Sequence, residues 1–141
     1  MAEGDATVLN NFKEQLLLKK VDCDTDTFKV ALFSVALNSP DGADVAYTTT
    51  NEIAGAGYTV GGDAVTVPVV TQDDGNDWAK WDDDGTNHTW SSLAANTILE
   101  ARLVDTSTTT SWVCILWEIA TNSNGGDYTL TFGANGIMTL A

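Results

Sequence analysis

The sequence predicts a mainly β protein: an antiparallel β-sandwich or barrel-like domain with one short N-terminal α-helix. Clusters of Gly, Asn, Asp and Ser interrupt the chain about every 8 to 15 residues, and the runs between them alternate apolar and polar positions. Only one segment has apolar residues at helical spacing. The 141 residues suit a single domain, 1–141, in which residues 1–22 form an N-terminal helix or arm and residues 23–141 the β domain.

The first predicted element is a helix from Thr7 to about Lys20. Apolar side chains follow its period at Val8, Leu9, Phe12, Leu16 and Leu17. Asp5 or Thr7 is placed to cap its start. Lysines gather toward its end, at Lys13, Lys19 and Lys20, where the helix dipole favours cations. The helix is therefore expected to be amphipathic and to dock on the β domain.

Residues 27–33 begin the β domain, because their period changes to two, with Phe28, Val30 and Leu32 on one face. A turn follows at residues 38–42. Residues 45–50 are predicted as a second strand. Residues 64–70 form a third, which Pro68 confines to an edge or a bulge because proline lacks a backbone donor.

The second half supplies the remaining strands. Residues 78–81 and 88–90 are predicted to pair as a short hairpin across the acidic turn 82–85. Residues 97–104 and 112–119 give two long strands, and residues 128–132 and 137–140 end the sheet.

The chain is strongly acidic, with 20 acids against 6 Lys and Arg and a formal net charge of −14. Such a surface repels phosphate backbones, so we expect no direct nucleic-acid binding and no attachment to anionic membranes. The first residues lack the basic start and apolar run of a signal peptide, and no stretch is apolar enough to span a membrane. We therefore expect a soluble protein made in a cytoplasm.

Two groups of acids have spacings that invite comparison with cation sites, and the chain contains two cysteines. Asp22, Asp24 and Asp26 alternate as in a calcium loop, but the sixth and twelfth positions of an EF-hand are wrong. The acids between residues 73 and 84 form either an acidic interaction face or a cation site, whose candidate ligands are Asp82, Asp83 and Asp84. Cys23 and Cys114 are expected to be reduced thiols, although one bridge between them is possible in principle. No cofactor is expected.

Catalytic arrangements are poorly supported, and we expect no enzyme. His88 is the only histidine, and its nearest triad partners in sequence are Ser91 or Ser92 with Asp82. These residue types are too common here to be informative. Glu52, Glu100 and Glu118 are candidates for a carboxylate pair, but nothing in the sequence brings two of them together. Arg102, the sole arginine, alternates with Glu100 and is expected to pair with a neighbouring strand or subunit.

The five tryptophans are expected mainly to fill the core, with exposed platforms that bind sugars or partner proteins as the alternative. Trp112 and Trp117 lie five residues apart in one apolar strand, so one should enter the core and the other a second apolar surface. The residues selected as interaction candidates are Phe12, Leu16, Trp78, Trp81, Trp90 and Trp117.

Residues 47–62 are the most distinctive stretch. A threonine-rich run leads into Gly55, Gly57, Gly61 and Gly62, and Tyr47 and Tyr58 flank a single carboxylate, Glu52. Glycines in such number indicate a sharply turning backbone. We interpret the stretch as a structural connector in which Glu52 and the two tyrosines fix a turn.

Several stretches, in the same order, resemble small structural virion proteins of tailed bacteriophages. Residues 10–18 and 24–32 resemble their opening helix and "dtdtikvaL" strand, and residues 47–62 resemble their "YtttnEvsGtGYtaGG" signature. Residues 98–102 stand where they carry "ItArga", and residues 128–140 resemble "ftitfpanGiltl". The chain departs from them at residues 117–124, where they carry "DFGgdk", and in its fuller Trp-rich acidic insert at residues 73–90.

The resemblance implies a capsid cement or decoration protein on the outer surface of the virion, synthesised in the bacterial host cytoplasm. Its implied partners are the major capsid protein of the same phage, on which the N-terminal helix could dock, and further copies of itself, for which we expect a trimer. The alternatives are a tail or baseplate component and, from another class, a carbohydrate-binding module that uses exposed tryptophans.

Overall fold

A computed structural model describes residues 6–37, 46–66, 68–83, 87–107, 110–133 and 135–140. The predicted fold class is confirmed: the described chain is mainly β and antiparallel, with one short helix, consistent with a β-sandwich-like domain. The elements in chain order are β1 (Ala6–Val8), α1 (Asn10–Leu17), β2 (Phe28–Phe33), β3 (Asp63–Ala64), β4 (Val69–Asp73), β5 (Trp78–Asp82), β6 (His88–Trp90), β7 (Thr97–Asp105), β8 (Trp112–Asn122), β9 (Tyr128–Leu130) and β10 (Met138–Leu140).

The main sheet has five strands in the order β1-β8-β7-β2-β3. Its centre is the long antiparallel pair β7–β8, in which two register shifts interrupt the ladder, one of them between Ile98 and Glu100. The predicted strands at 97–104 and 112–119 are therefore confirmed. β2 pairs along its whole length with β7, from Phe28 opposite Asp105 to Phe33 opposite Glu100.

The helix is shorter than the predicted segment. Ala6–Val8 pairs with β8 as strand β1, so Thr7 cannot cap the helix, and Asp5 lies outside the described residues. Leu9 precedes α1 in an extended conformation, makes no side-chain cap and donates its N–H to the Cys114 carbonyl at 3.0 Å. The helix ends as Leu18 donates to Glu14, and Lys19 follows in the left-handed region at φ 56°.

Two small sheets complete the fold, in the orders β10-β5-β4 and β6-β9. The predicted hairpin of residues 78–81 with 88–90 is wrong, because β5 pairs with β4 and β10 whereas β6 pairs with β9. The predicted strand 64–70 is divided between β3 and β4, with Pro68 directly before β4. The predicted strand at 45–50 is also wrong: its described residues contribute only an isolated bridge between Ala46 and Trp112. The predicted turn at 38–42 lies outside the described residues.

Both faces of the main sheet are covered. One face packs Phe28, Val30 and Leu32 into the main core, as the period of two predicts, and Trp81 lies there against Phe28 at 4.8 Å between ring centroids. The other face forms a smaller cluster of Leu9, Val113 and Leu116, joined by Leu37 and Tyr47. Ala31 and Phe33 are consequently buried as well, although alternation alone would leave them exposed.

Candidate interaction surface

The stretch 47–62 folds around a single carboxylate. Glu52 accepts hydrogen bonds from the Tyr47 hydroxyl at 2.5 Å, the Tyr58 hydroxyl at 2.6 Å and the Gly61 N–H at 2.7 Å. Burial, reinforced by the hydrogen bond to Glu52, raises the pKa of both tyrosines well above the usual value. The interpretation of Glu52 and the two tyrosines as the fixing points of a turn is confirmed.

This stretch also covers the outer edge of β2. Leu32 donates its N–H to the Tyr58 hydroxyl at 3.0 Å, and its carbonyl accepts the Ile53 N–H at 3.0 Å. Gly62 lies so close to β2 that an added Cβ would collide with the Val30 carbonyl oxygen. An uncovered edge strand presents free donors and acceptors to other chains, so the stretch protects the sheet from that pairing.

His88 is buried between two carboxylates. Its Nδ1 lies 2.8 Å from Asp63 Oδ2, and its Nε2 lies 3.2 Å from the carboxylate of the fully buried Asp83, without the alignment of a good hydrogen bond. The sequence suggested Asp82 as the acid beside this ring, with Ser91 or Ser92 as the serine. The carboxylates that contact the ring are instead those of Asp63 and Asp83. The contact of His88 Nδ1 with Asp63 ties β6 to β3.

Glu100 and Glu118 stand directly opposite each other on β7 and β8, a pairing that the sequence did not reveal. Glu100 is buried, and its carboxylate accepts the Arg102 Nε at 2.9 Å and the Leu37 N–H at 2.8 Å. Arg102 thus forms an ion pair within its own strand, donates to the Val35 carbonyl at 3.0 Å, and holds its guanidinium 3.7 Å from the Phe33 ring centroid. A carboxylate engaged in this way anchors the second face of the sheet.

The two cysteines are free thiols. Burial and the nearby Asp22, Asp26 and Asp105 raise the pKa of Cys23 to about 12, and burial raises that of Cys114. Because the thiolate is the reactive form, both side chains are poor nucleophiles at neutral pH.

The acidic turns engage their own neighbours. Asp73 accepts the Asn76 side chain at 2.8 Å and the Trp78 Nε1 at 3.2 Å, and hydrogen bonding, chiefly from Asn76, lowers its pKa. Asp82 pairs with Lys80 at 2.9 Å. In the parts of the chain that are described, no three His, Cys, Asp or Glu side chains are placed to hold a metal ion; Asp84 lies outside them.

Most of the aromatic interaction candidates lie in the core. Four of the six are buried: Phe12, Trp81, Trp90 and Trp117. Leu16 and Trp78 are partly exposed. Trp112 is half-buried while Trp117 enters the core, which matches the predicted opposite faces of β8. Three of the five indoles are therefore inaccessible to a ligand such as a sugar.

An exposed apolar surface lies instead where α1 ends beside β10. Leu17 is 86% exposed and Leu140 59% exposed, and both line a shallow groove with Val8, Leu16 and Met138. The sequence had placed Leu17 in the stripe that docks inward and had not singled out Leu140. Large apolar side chains exposed together are characteristic of contact surfaces, so this groove is the candidate interaction surface.

Comparisons with known proteins give no relative: no protein-family model matches the chain, and no curated protein or solved structure matches it either. Among the described residues, no helix is both long and apolar enough to cross a membrane.

Proposed function

We propose that the protein is a structural component of a bacteriophage virion, a cement or decoration protein that binds the outer capsid lattice and stabilises the head. The observation that carries the proposal is the stretch 47–62, the most specific part of the resemblance. Its distinctive residues, Glu52, Tyr47, Tyr58 and Gly61, form one hydrogen-bonded unit. A signature whose members act together is stronger support than the same letters scattered over a surface.

The physical character of the chain is compatible with this role. A decoration protein needs a rigid domain and contact surfaces, and many weak contacts to a repeating lattice add up to firm attachment. The main sheet, covered on both faces, supplies the rigid domain, and the groove at Leu17 and Leu140 supplies a contact surface. The proposal assigns no catalytic activity and no cofactor.

The proposed partners are the major capsid protein of the same phage and further copies of this chain, with neither nucleic acid nor membrane bound directly. The net charge of −14 disfavours binding to nucleic acid and to anionic membranes. The protein would be made in the bacterial host cytoplasm and act on the outer capsid surface.

Copy number in purified particles tests the proposal. Quantitative mass spectrometry is expected to give a ratio to the major capsid protein within a small factor of one, and a density map should place the domain on the outer shell. A copy number similar to that of tail proteins would instead support the tail or baseplate alternative. Absence from the particle would overturn both.

A further inference from the structure

In the small sheet β10-β5-β4, the apolar face that packs on the core extends past the edge of the core. Met138 pairs with Trp81 and Leu140 with Ala79, so all four share one face of β5 and β10. Phe12 of α1 covers this face at Trp81, with 6.1 Å between the ring centroids. Leu140, the next position along this face, lies beside the end of the helix at Leu17 and is 59% exposed.

Lys13 borders the uncovered leucines on the helix side. The chain has only six Lys and Arg, and three of them, Lys13, Lys19 and Lys20, lie on α1 or directly after it and are exposed. Lys13 lines the same groove as Leu17 and Leu140. Lys19 instead lines a separate hollow with Asp22 and Asp24, so Lys13 is the cation that forms the basic margin of this groove.

Acids border the same leucine on its other side. Leu140 also lines a hollow with Asp73, Asp74 and Asp77 in the turn between β4 and β5. The surface therefore presents a basic margin, an apolar centre and an acidic margin in a row. When two copies face each other across a two-fold axis through the apolar centre, the basic margin of each copy lies opposite the acidic margin of the other.

We propose that the occupant of this surface is a second copy of the same chain, related by a two-fold axis. In that arrangement Leu17 and Leu140 of one copy cover those of the other, and each lysine margin faces the acidic turn of its partner. Two copies with this net charge repel in most orientations, so the basic margin selects the one contact that offsets the repulsion. The inference deepens the self-association in the proposed function and specifies a dimer in place of the expected trimer.

Charge reversal tests the pairing directly. Sedimentation velocity of the full chain over a concentration series is expected to show a dimer. Lys13→Glu alone and Asp74→Lys alone should each weaken it about tenfold or more, whereas the double variant should recover most of the wild-type affinity. Leu17→Ser should also give monomer. Val60→Ser, at an exposed apolar side chain in the stretch 47–62, is the matched control and should leave the dimer intact.

The outcomes separate this inference from the proposed function. A monomer at all concentrations, a trimer, or a double variant that stays as weak as the single ones would overturn the two-fold surface. All of the substituted side chains are exposed, and melting curves of each variant verify that the fold is retained. Particle copy number is measured independently: a monomer abundant in particles removes only the dimer, and a dimer absent from particles removes only the virion role.

Discussion

Glu52 shows how one side chain can organise a loop that lacks regular structure. Its three hydrogen bonds join Tyr47, Tyr58 and Gly61, which are up to nine residues away, and Tyr58 passes the connection on to Leu32 of β2. Hydrogen bonds to a charged acceptor are stronger than neutral ones, and they are worth most where water is partly excluded. The loop is therefore held by this carboxylate together with the packing of Ile53 and Tyr58 on the main core.

Glu52→Gln should destabilise the protein by about 1 to 3 kcal/mol, because an amide group replaces one of the two accepting oxygens. The midpoint and slope of urea unfolding measure the change. Glu14→Gln, at an exposed glutamate of α1, is the matched control and should change stability by less than about 0.5 kcal/mol. Equal effects of the two substitutions would contradict the role assigned to Glu52.

The same network predicts alkaline sensitivity. The folded pKa values of Tyr47 and Tyr58 are raised above their ordinary value of 10.0, so the folded state holds these protons more tightly than the unfolded state. This contribution is complete below pH 10 and is lost as the pH rises through the folded values. Absorbance of tyrosinate should therefore show that Tyr47 and Tyr58 ionise above pH 10, together with unfolding.

Asp105, in contrast to Glu52, destabilises the folded state when its carboxylate is charged. It is fully buried; Oδ1 accepts the Ser107 N–H at 2.8 Å, and Oδ2 has no hydrogen-bond partner among the described residues. Burial, with a contribution from nearby Asp26, raises its pKa. A raised folded pKa favours folding at low pH and loses that benefit as the pH rises.

Asp105→Asn should therefore raise the melting temperature at pH 7, since it removes a buried charge and keeps the acceptor for Ser107. The gain should shrink on acidification and vanish below the ordinary pKa of 3.8, where wild-type Asp105 is neutral in both states. Thermal melts of both proteins from pH 3 to pH 8 give the difference. A gain independent of pH would show that the charge is not the cause.

At the scale of elements, the sequence predicts the positions of the strands better than the pairing between them. β2, β7 and β8 follow from alternation and apolar runs, because their own side chains carry the signal. The wrong hairpin at residues 78–90 followed from assuming that neighbours in sequence pair, whereas β5 pairs with β10 from the end of the chain. Pairing between distant strands depends on the assembled core, which local periodicity does not encode.

The candidate interaction surface could not be predicted from the sequence for a related reason. Leu17 and Leu140 each look like core residues in sequence, and both belong to periodic apolar patterns. Both are exposed where the end of α1 meets β10, and that position depends on how two separate elements come together. In contrast, the turn at Glu52 was predictable, because its donors lie within nine residues of the carboxylate.

The edge cover on β2 makes a prediction about two adjacent glycines with positive φ. At Gly62 an added Cβ would meet the Val30 backbone, whereas at Gly61 it would meet nothing. Gly61→Ala should cost about 1 to 2 kcal/mol from backbone strain alone. Gly62→Ala should cost clearly more, because β2 or the loop must also move. Chemical denaturation of both variants measures the gap, and equal losses would argue against a close contact with β2.

At the scale of the whole molecule, charge opposes folding. The net charge is −14, and Lys80–Asp82 and Arg102–Glu100 are ion pairs that offset a small part of it. The second is buried, so salt weakens it little. Most of the remaining electrostatic energy is repulsion among acids on the surface, which favours the expanded unfolded state.

Added salt should therefore stabilise this protein. A domain of this length has a radius of gyration of about 14 Å, whereas the Debye length is about 30 Å at 0.01 M salt and about 10 Å at 0.1 M. Acids that repel across the whole domain at the lower concentration are thus mostly screened at the higher one. The melting temperature should rise over this range and level off near 0.5 M. Sodium chloride and sodium perchlorate should act equally at low concentration, because screening depends on ionic strength alone. A fall would mean that attractive surface pairs outweigh the repulsion, and a rise seen only with chloride would mean that an ion-specific effect, not screening, is the cause.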